Sequence, residues 1–227
     1  MKEIILLHGA IGASDQLIPL ESELQQLGLT CYRFDFSGHG AKDFTNGFGI
    51  AAFANELDNF ISKNKIDKPH VFGYSMGGYV ALYLASQKPN ILQDIITLGT
   101  KLEWSPEIAV KEIKMLDPNM IIEKVPKFAE ALKNRHGEKW KLLLQKTAEM
   151  MLSLGNNNIL NEAAFSKIIN KVFIGLADLD NMVSLNETDF AASKISNSRR
   201  FTLTETKHPI ETVNAKTMAA LIHQFIS

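Results

Sequence analysis

Short apolar runs alternate along the chain with longer stretches in which apolar residues recur every three to four positions. The runs at residues 3–7, 30–36, 70–73, 94–98, 171–176 and 200–203 are apolar almost throughout and predict six strands. Helix-period spacing over residues 15–27, 50–63, 76–87, 185–192 and 213–226 predicts the helices that follow them. Strands without polar alternation are those buried on both faces. The pattern therefore predicts an α/β fold, a mostly parallel sheet of about six strands flanked by helices. Between residues 105 and 166 the rhythm breaks into a long helical stretch rich in Lys, Glu, Leu and Met, punctuated by Pro106, Pro118, Pro126 and Gly155. This reads as an inserted helical cap, with Asn156, Asn157 and Asn158 as a helix-ending loop. Residues 1–104 and 167–227 then form one core, and residues 105–166 the cap.

Charge and cysteine usage narrow the class without naming a chemistry. The 24 Lys and Arg residues nearly cancel the 25 Asp and Glu, which leaves no electrostatic footprint for nucleic acid or an anionic membrane surface. No apolar run approaches a membrane span, and the four apolar residues from Ile4 to Leu7 are too few for a signal-peptide core. The single cysteine, Cys31, cannot form an internal bridge; its apolar setting predicts a buried thiol in a reducing, cytoplasmic compartment. A chain of 227 residues buries roughly 70% of its surface on folding, so it needs neither disulfides nor a structural metal. No Cys and His cluster has ligand spacing, and the Gly-rich segment at 73–78 lacks the Lys of a phosphate-binding loop. No metal or cofactor is expected.

That segment carries the chemistry. Gly73-Tyr74-Ser75-Met76-Gly77-Gly78 lies between a predicted strand and a predicted helix. A Ser on such a sharp turn is exposed by a strained backbone, and the flanking glycines let the chain pack without clashing Cβ atoms. The helix that follows points its first N–H groups at the same place, so the N–H of Met76 can receive an oxyanion. With this placement the sequence resembles the α/β-hydrolase family over nearly the whole chain outside the insertion. Leu6-Leu7-His8-Gly9-Ala10-Ile11-Gly12 is similar to the family's His-Gly loop, and the resemblance implies that Ala10 supplies the second oxyanion N–H. Phe34-Asp35-Phe36-Ser37-Gly38-His39-Gly40 resembles a strand-end turn of the family that is mainly structural. The antiparallel hairpin with which many members begin is missing, which leaves a minimal sheet of six parallel strands.

A Ser hydroxyl at neutral pH needs a base to take its proton and a third group to orient that base. The family order is Ser, acid, His. Of the six His residues, His8, His39 and His70 precede Ser75, His136 falls in the insertion and His223 in the last helix. His208 follows the last predicted strand, where the resemblance puts the base. For the acid, two candidates stand two residues apart. Asp178 matches the family's G-x-x-D and Asp180 its D-x-x-V; strand length favours Asp180, with Asp178 left as a capping or supporting residue.

The resemblance implies a serine hydrolase that cleaves a carboxylic ester, or a related acyl bond, of a small apolar or amphipathic substrate, as Met150, Met151, Trp104 and their neighbours in the insertion suggest. Relatives with similar triads also cleave thioesters or carbon–carbon bonds, and some serve as non-catalytic receptors, because the fold does not set the substrate. The oligomeric state is not legible.

Overall fold

A computed structural model describes residues 2–45 and 47–227. Six parallel strands, β1 (Glu3–Leu7), β2 (Thr30–Arg33), β3 (His70–Tyr74), β4 (Ile95–Leu98), β5 (Val172–Ala177) and β6 (Ser198–Leu203), form one sheet in the order β2-β1-β3-β4-β5-β6. The chain runs from β1 outward to β2 and then returns to β3 on the other side of β1. The carboxyl ends of β1 and β3 therefore lie side by side where the winding direction reverses, the place where open parallel sheets hold their ligands. Leu7 pairs with Gly73 there.

Alternate residues of the central strands face two separate cores. Ile5, Leu7, Val71, Ile95 and Ile174 pack with Phe53 and Leu57 of α2 (Ile50–Asn64) and Val80 and Leu84 of α3 (Met76–Gln87). Ile4, Leu6, Phe72, Ile96 and Leu98 face the opposite way, onto Leu20 and Leu24 of α1 (Ile18–Gln26) and Met218 and Ile222 of α10 (Ala215–Ile226). Both faces are apolar because both are covered. The edge strands depart from this pattern. Pairing of β2 with β1 stops at Arg33, so Phe34 to Phe36 leave the sheet before the predicted strand ends. At the other edge β6 starts two residues earlier than its apolar run, through Ser198 and Arg199, because one side of an edge strand meets solvent. Cys31, on β2, is half-buried rather than buried, for the same reason; burial and the Glu21 carboxylate still push its thiol up to about 11.

Between β4 and β5 lie α4 (Pro106–Ile113), α5 (Pro118–Lys124), α6 (Pro126–His136), α7 (Trp140–Asn156) and the short α8 (Glu162–Phe165); α9 (Leu185–Lys194) follows β5. Pro106, Pro118 and Pro126 each open a helix, where the missing N–H removes no helical hydrogen bond. Ser105 and Asp117 cap two of them through the N–H groups of Ile108 and of Asn119 and Met120. Leu116, Ile121, Leu132, Trp140 and Leu144 make a small core of their own, against which Ile11 of the β1 loop packs. Gly155 lies inside α7 rather than ending it, since a Cβ there would sit 2.6 Å from that of Ala109 on α4. Among the described residues no helix is long and apolar enough to cross a membrane. Among the described residues no group of three or more His, Cys, Asp or Glu side chains is placed to hold a metal ion.

Candidate active site

Ser75 connects β3 to α3 with φ +50° and ψ −117°, a conformation that side-chain-bearing residues adopt only when their surroundings impose it. The surroundings do so. Its N–H donates to Leu98 O at 2.9 Å, and its carbonyl accepts from Gly78 N at 3.0 Å and from the Thr100 hydroxyl at 3.1 Å. The turn can press against β1 only because residue 77 is glycine; a Cβ there would lie 2.5 Å from the carbonyl oxygen of Leu7.

His208 sits in the loop after β6. Its Nδ1 lies 2.7 Å from Oδ2 of Asp180, and the Tyr74 hydroxyl donates to its backbone carbonyl at 2.9 Å. The Asp180 side chain is fully buried, and its other oxygen accepts from the N–H groups of Met182 at 2.8 Å and Val183 at 3.0 Å. Burial pushes this carboxyl upward, but the hydrogen bond and charge of His208, joined by the two N–H groups, outweigh it and hold the group below its ordinary value. With the Nδ1 proton given to Asp180, Nε2 of His208 is left as the basic nitrogen. Gly99, at φ +60°, packs directly on this pair: a Cβ would be 3.3 Å from both Asp180 Oδ2 and His208 Nδ1. Asp178 does not meet His208. It is exposed and accepts from the N–H groups of Glu205 at 3.0 Å and Thr206 at 3.1 Å, so it pins the loop that carries the histidine, and those bonds hold its carboxyl below the ordinary value.

Ser75, His208, Ala10 and Met76 line one narrow cavity of about 50 Å³. The N–H groups of Ala10 and Met76 have no acceptor among the described residues, as befits a loop and a helix start that face open space. The loop bearing Ala10 is held by buried histidines. His8 takes the N–H of Phe36 on Nε2 at 3.2 Å, which leaves Nδ1–H to donate to Gly9 O at 2.8 Å. Trp104, just before the inserted segment, and Met150 and Met151 within it complete the apolar lining, whereas Met115, Met120 and Phe128 point to solvent and Trp140 and Phe165 pack in cores. Ile50, Met150 and Leu154 separate the cavity from a wider chamber of about 640 Å³.

Three residues at the site escape the sequence pattern. Lys101 and Glu112 belong to no motif and stand among other charges, Glu103 for the first and Lys111 and Lys114 for the second, while Tyr74 holds an open position of the Gly73–Gly78 motif that says nothing of its hydroxyl. His136 is a fourth case, a residue of the insertion that reaches the β1 loop.

A family model for the alpha/beta hydrolase fold matches residues 2–141, and the chain belongs to that family. Among curated proteins it is similar to ethanol acetyltransferase 1 of Hanseniaspora uvarum, 26% identical over 106 residues, which cover 46% of this chain and 32% of the relative. It is also similar to a triacylglycerol lipase of Pseudarthrobacter phenanthrenivorans, 28% identical over 125 residues, 51% of this chain and 38% of the relative. The chain spans about a third of the length of the curated relatives it matches. Among solved structures, the enol-lactonase from Burkholderia xenovorans LB400 shares the fold with a TM-score of 0.79 at 16% identity, over 99% of this chain and 91% of that one.

Proposed function

We propose that the protein is a serine hydrolase that cleaves a carboxylic ester, or a related acyl bond, of a small substrate. Ser75 attacks the acyl carbonyl, and Nε2 of His208 takes the hydroxyl proton and returns it to the leaving group. Asp180 holds the imidazole in the required tautomer and offsets its charge, and the N–H groups of Ala10 and Met76 receive the oxyanion. Water then releases the acyl group from Ser75. The observation that carries this reading is the buried 2.7 Å contact of Asp180 with His208 at a cavity shared with a strained Ser75. In this reading residues 105–166 act as the cap that shields the acyl-enzyme, and the single cysteine fits a cytoplasmic setting.

Exposure to a fluorophosphonate followed by intact-mass measurement, with a series of nitrophenyl esters run alongside, tests the proposal. One adduct, lost in Ser75→Ala, together with steady ester turnover is the expected result; an unmodified Ser75 without turnover overturns it. The likeness to ethanol acetyltransferase 1 favours a second reading, in which an alcohol competes with water for the acyl-enzyme. Adding ethanol and measuring the ratio of ethyl ester to free acid separates transfer from hydrolysis.

A further inference from the structure

The cavity at Ser75 is apolar except for one cluster of groups that the triad does not use. Lys101 follows β4, Glu112 lies on α4 and Trp104 stands between them; all three line the cavity. Lys101 Nζ donates to Met182 O at 2.8 Å and stands 3.8 Å from Glu112 and 3.9 Å from Glu187, both beyond a good hydrogen bond. Glu187 is satisfied elsewhere, by the N–H groups of Leu102, Glu103 and Ser184. Glu112 is not: its side chain is 7% exposed, and no donor reaches its carboxylate within hydrogen-bond distance among the described residues. The buried indole N–H of Trp104 likewise has no acceptor.

A buried carboxylate with no hydrogen-bond donor, paired only through an ammonium 3.8 Å away and grouped with an indole N–H that has no acceptor among the described residues, is a poor arrangement for an empty core and a good one for a polar ligand group. The chemistry of that group follows from the set. A carboxylate would sit beside Glu112 and give it no proton. An ammonium would sit beside Lys101 and offer Trp104 no lone pair. A plain alkyl chain would leave Glu112 and Trp104 unmet. A neutral group that both accepts and donates answers the set, and a space of about 50 Å³ suits a short tail bearing a hydroxyl rather than a long chain. The half of the substrate that stays on Ser75 is the acyl half, since the alcohol must leave. We propose that the cavity selects a short acyl group bearing a hydroxyl, which accepts from Lys101 or Trp104 and donates to Glu112. The inference rests on the hydrolase reading and names its substrate class.

The test compares kcat/KM for 4-nitrophenyl butanoate and 4-nitrophenyl 3-hydroxybutanoate, with fluorophosphonate labelling of Ser75 measured on the same samples. The hydroxylated ester is expected to be favoured by about tenfold or more, because a site built to pair a hydroxyl discriminates against its absence. Trp104→Phe, and the double variant Lys101→Met with Glu112→Leu, are each expected to lower that preference by about fivefold or more. The double change removes Lys101 and Glu112 together, and Glu187, which loses the ammonium 3.9 Å away, keeps the N–H groups of Leu102, Glu103 and Ser184, so the variant can fold. Equal rates on the two esters with a labelled Ser75 overturn this inference alone. So does a variant that slows both esters alike, which would make Lys101 a support for the Met182 loop. An unlabelled Ser75 with neither ester cleaved overturns the hydrolase reading and this inference together.

Discussion

Nε2–H of His136, at the end of α6, donates to the carbonyl of Ile11 at 2.9 Å, while Nδ1 of the same ring accepts from Gly40 N–H at 2.9 Å. One neutral imidazole thus ties the inserted helices to the loop that carries Ala10 and to the turn after β2. Ile11 itself has φ +51°, so the loop is held in a conformation it would not adopt alone. His136→Phe leaves two backbone groups unpaired and is expected to lower stability by about 1–3 kcal/mol. Urea unfolding measures that loss. In the hydrolase reading kcat falls more than KM rises, because the oxyanion donor is misplaced while the substrate cavity persists.

The same ring stands in a buried cluster with His8 and His39 that makes stability pH-dependent. Burial pushes His8 down to about 4 from an ordinary 6.5, and it lowers His39 and His136 too. The unfolded chain therefore binds protons first as the pH falls. Stability is complete above about pH 7 and drops progressively from 6.5 toward 4, by on the order of 3 kcal/mol from His8 alone. Unfolding midpoints measured from pH 8 to pH 4 check the direction; a flat profile would contradict the neutral cluster.

Ser75 occupies a backbone conformation that suits glycine better. Ser75→Gly is expected to abolish ester turnover and yet raise stability by about 1 kcal/mol, since relief of the strained turn exceeds the entropy that glycine adds to the unfolded chain. Thermal unfolding compared with Ser75→Ala, which keeps the strain, isolates the backbone contribution.

Asp180 and Asp178 separate by what they touch. Asp180→Asn presents His208 with the wrong partner for its Nδ1 proton and is expected to lower kcat by about 10³–10⁴, the scale seen when a triad acid becomes an amide in a serine protease. Asp178→Asn keeps an oxygen for only one of the Glu205 and Thr206 N–H groups but leaves the Asp180–His208 contact in place, and is expected to stay within about tenfold of the parent. Parallel steady-state kinetics decide it, and a larger loss in Asp178→Asn would reverse the assignment.

Gly99→Ala places a methyl 3.3 Å from both Asp180 Oδ2 and His208 Nδ1, at a residue with φ +60°. The left-handed backbone alone costs about 1 kcal/mol, and displacement of the imidazole is expected to lower kcat/KM by about 10- to 100-fold. Fluorophosphonate labelling rates should fall in step with turnover.

The alternation of short apolar runs with helix-period stretches is enough to read all six strands, because a strand buried on both faces and a helix buried on one write different local periods. Ser75 was legible for the same reason: a strand, a tight Gly-flanked turn and a helix occupy consecutive residues. His208 could be placed by its position after the last strand. Strand length favours Asp180 over Asp178 as the partner of His208, and the loop's hydrogen bonds give the reason, turning one carboxylate inward and the other to Thr206. Edge-strand limits depended on where the neighbouring strand stops. His136 on Ile11, 125 positions away, and Glu112 beside Lys101 depend on how the inserted helices fold back over the sheet. Periodicity records which way a residue faces within its own element; which distant residue it meets is set by packing between elements, and much of this site is made of such meetings.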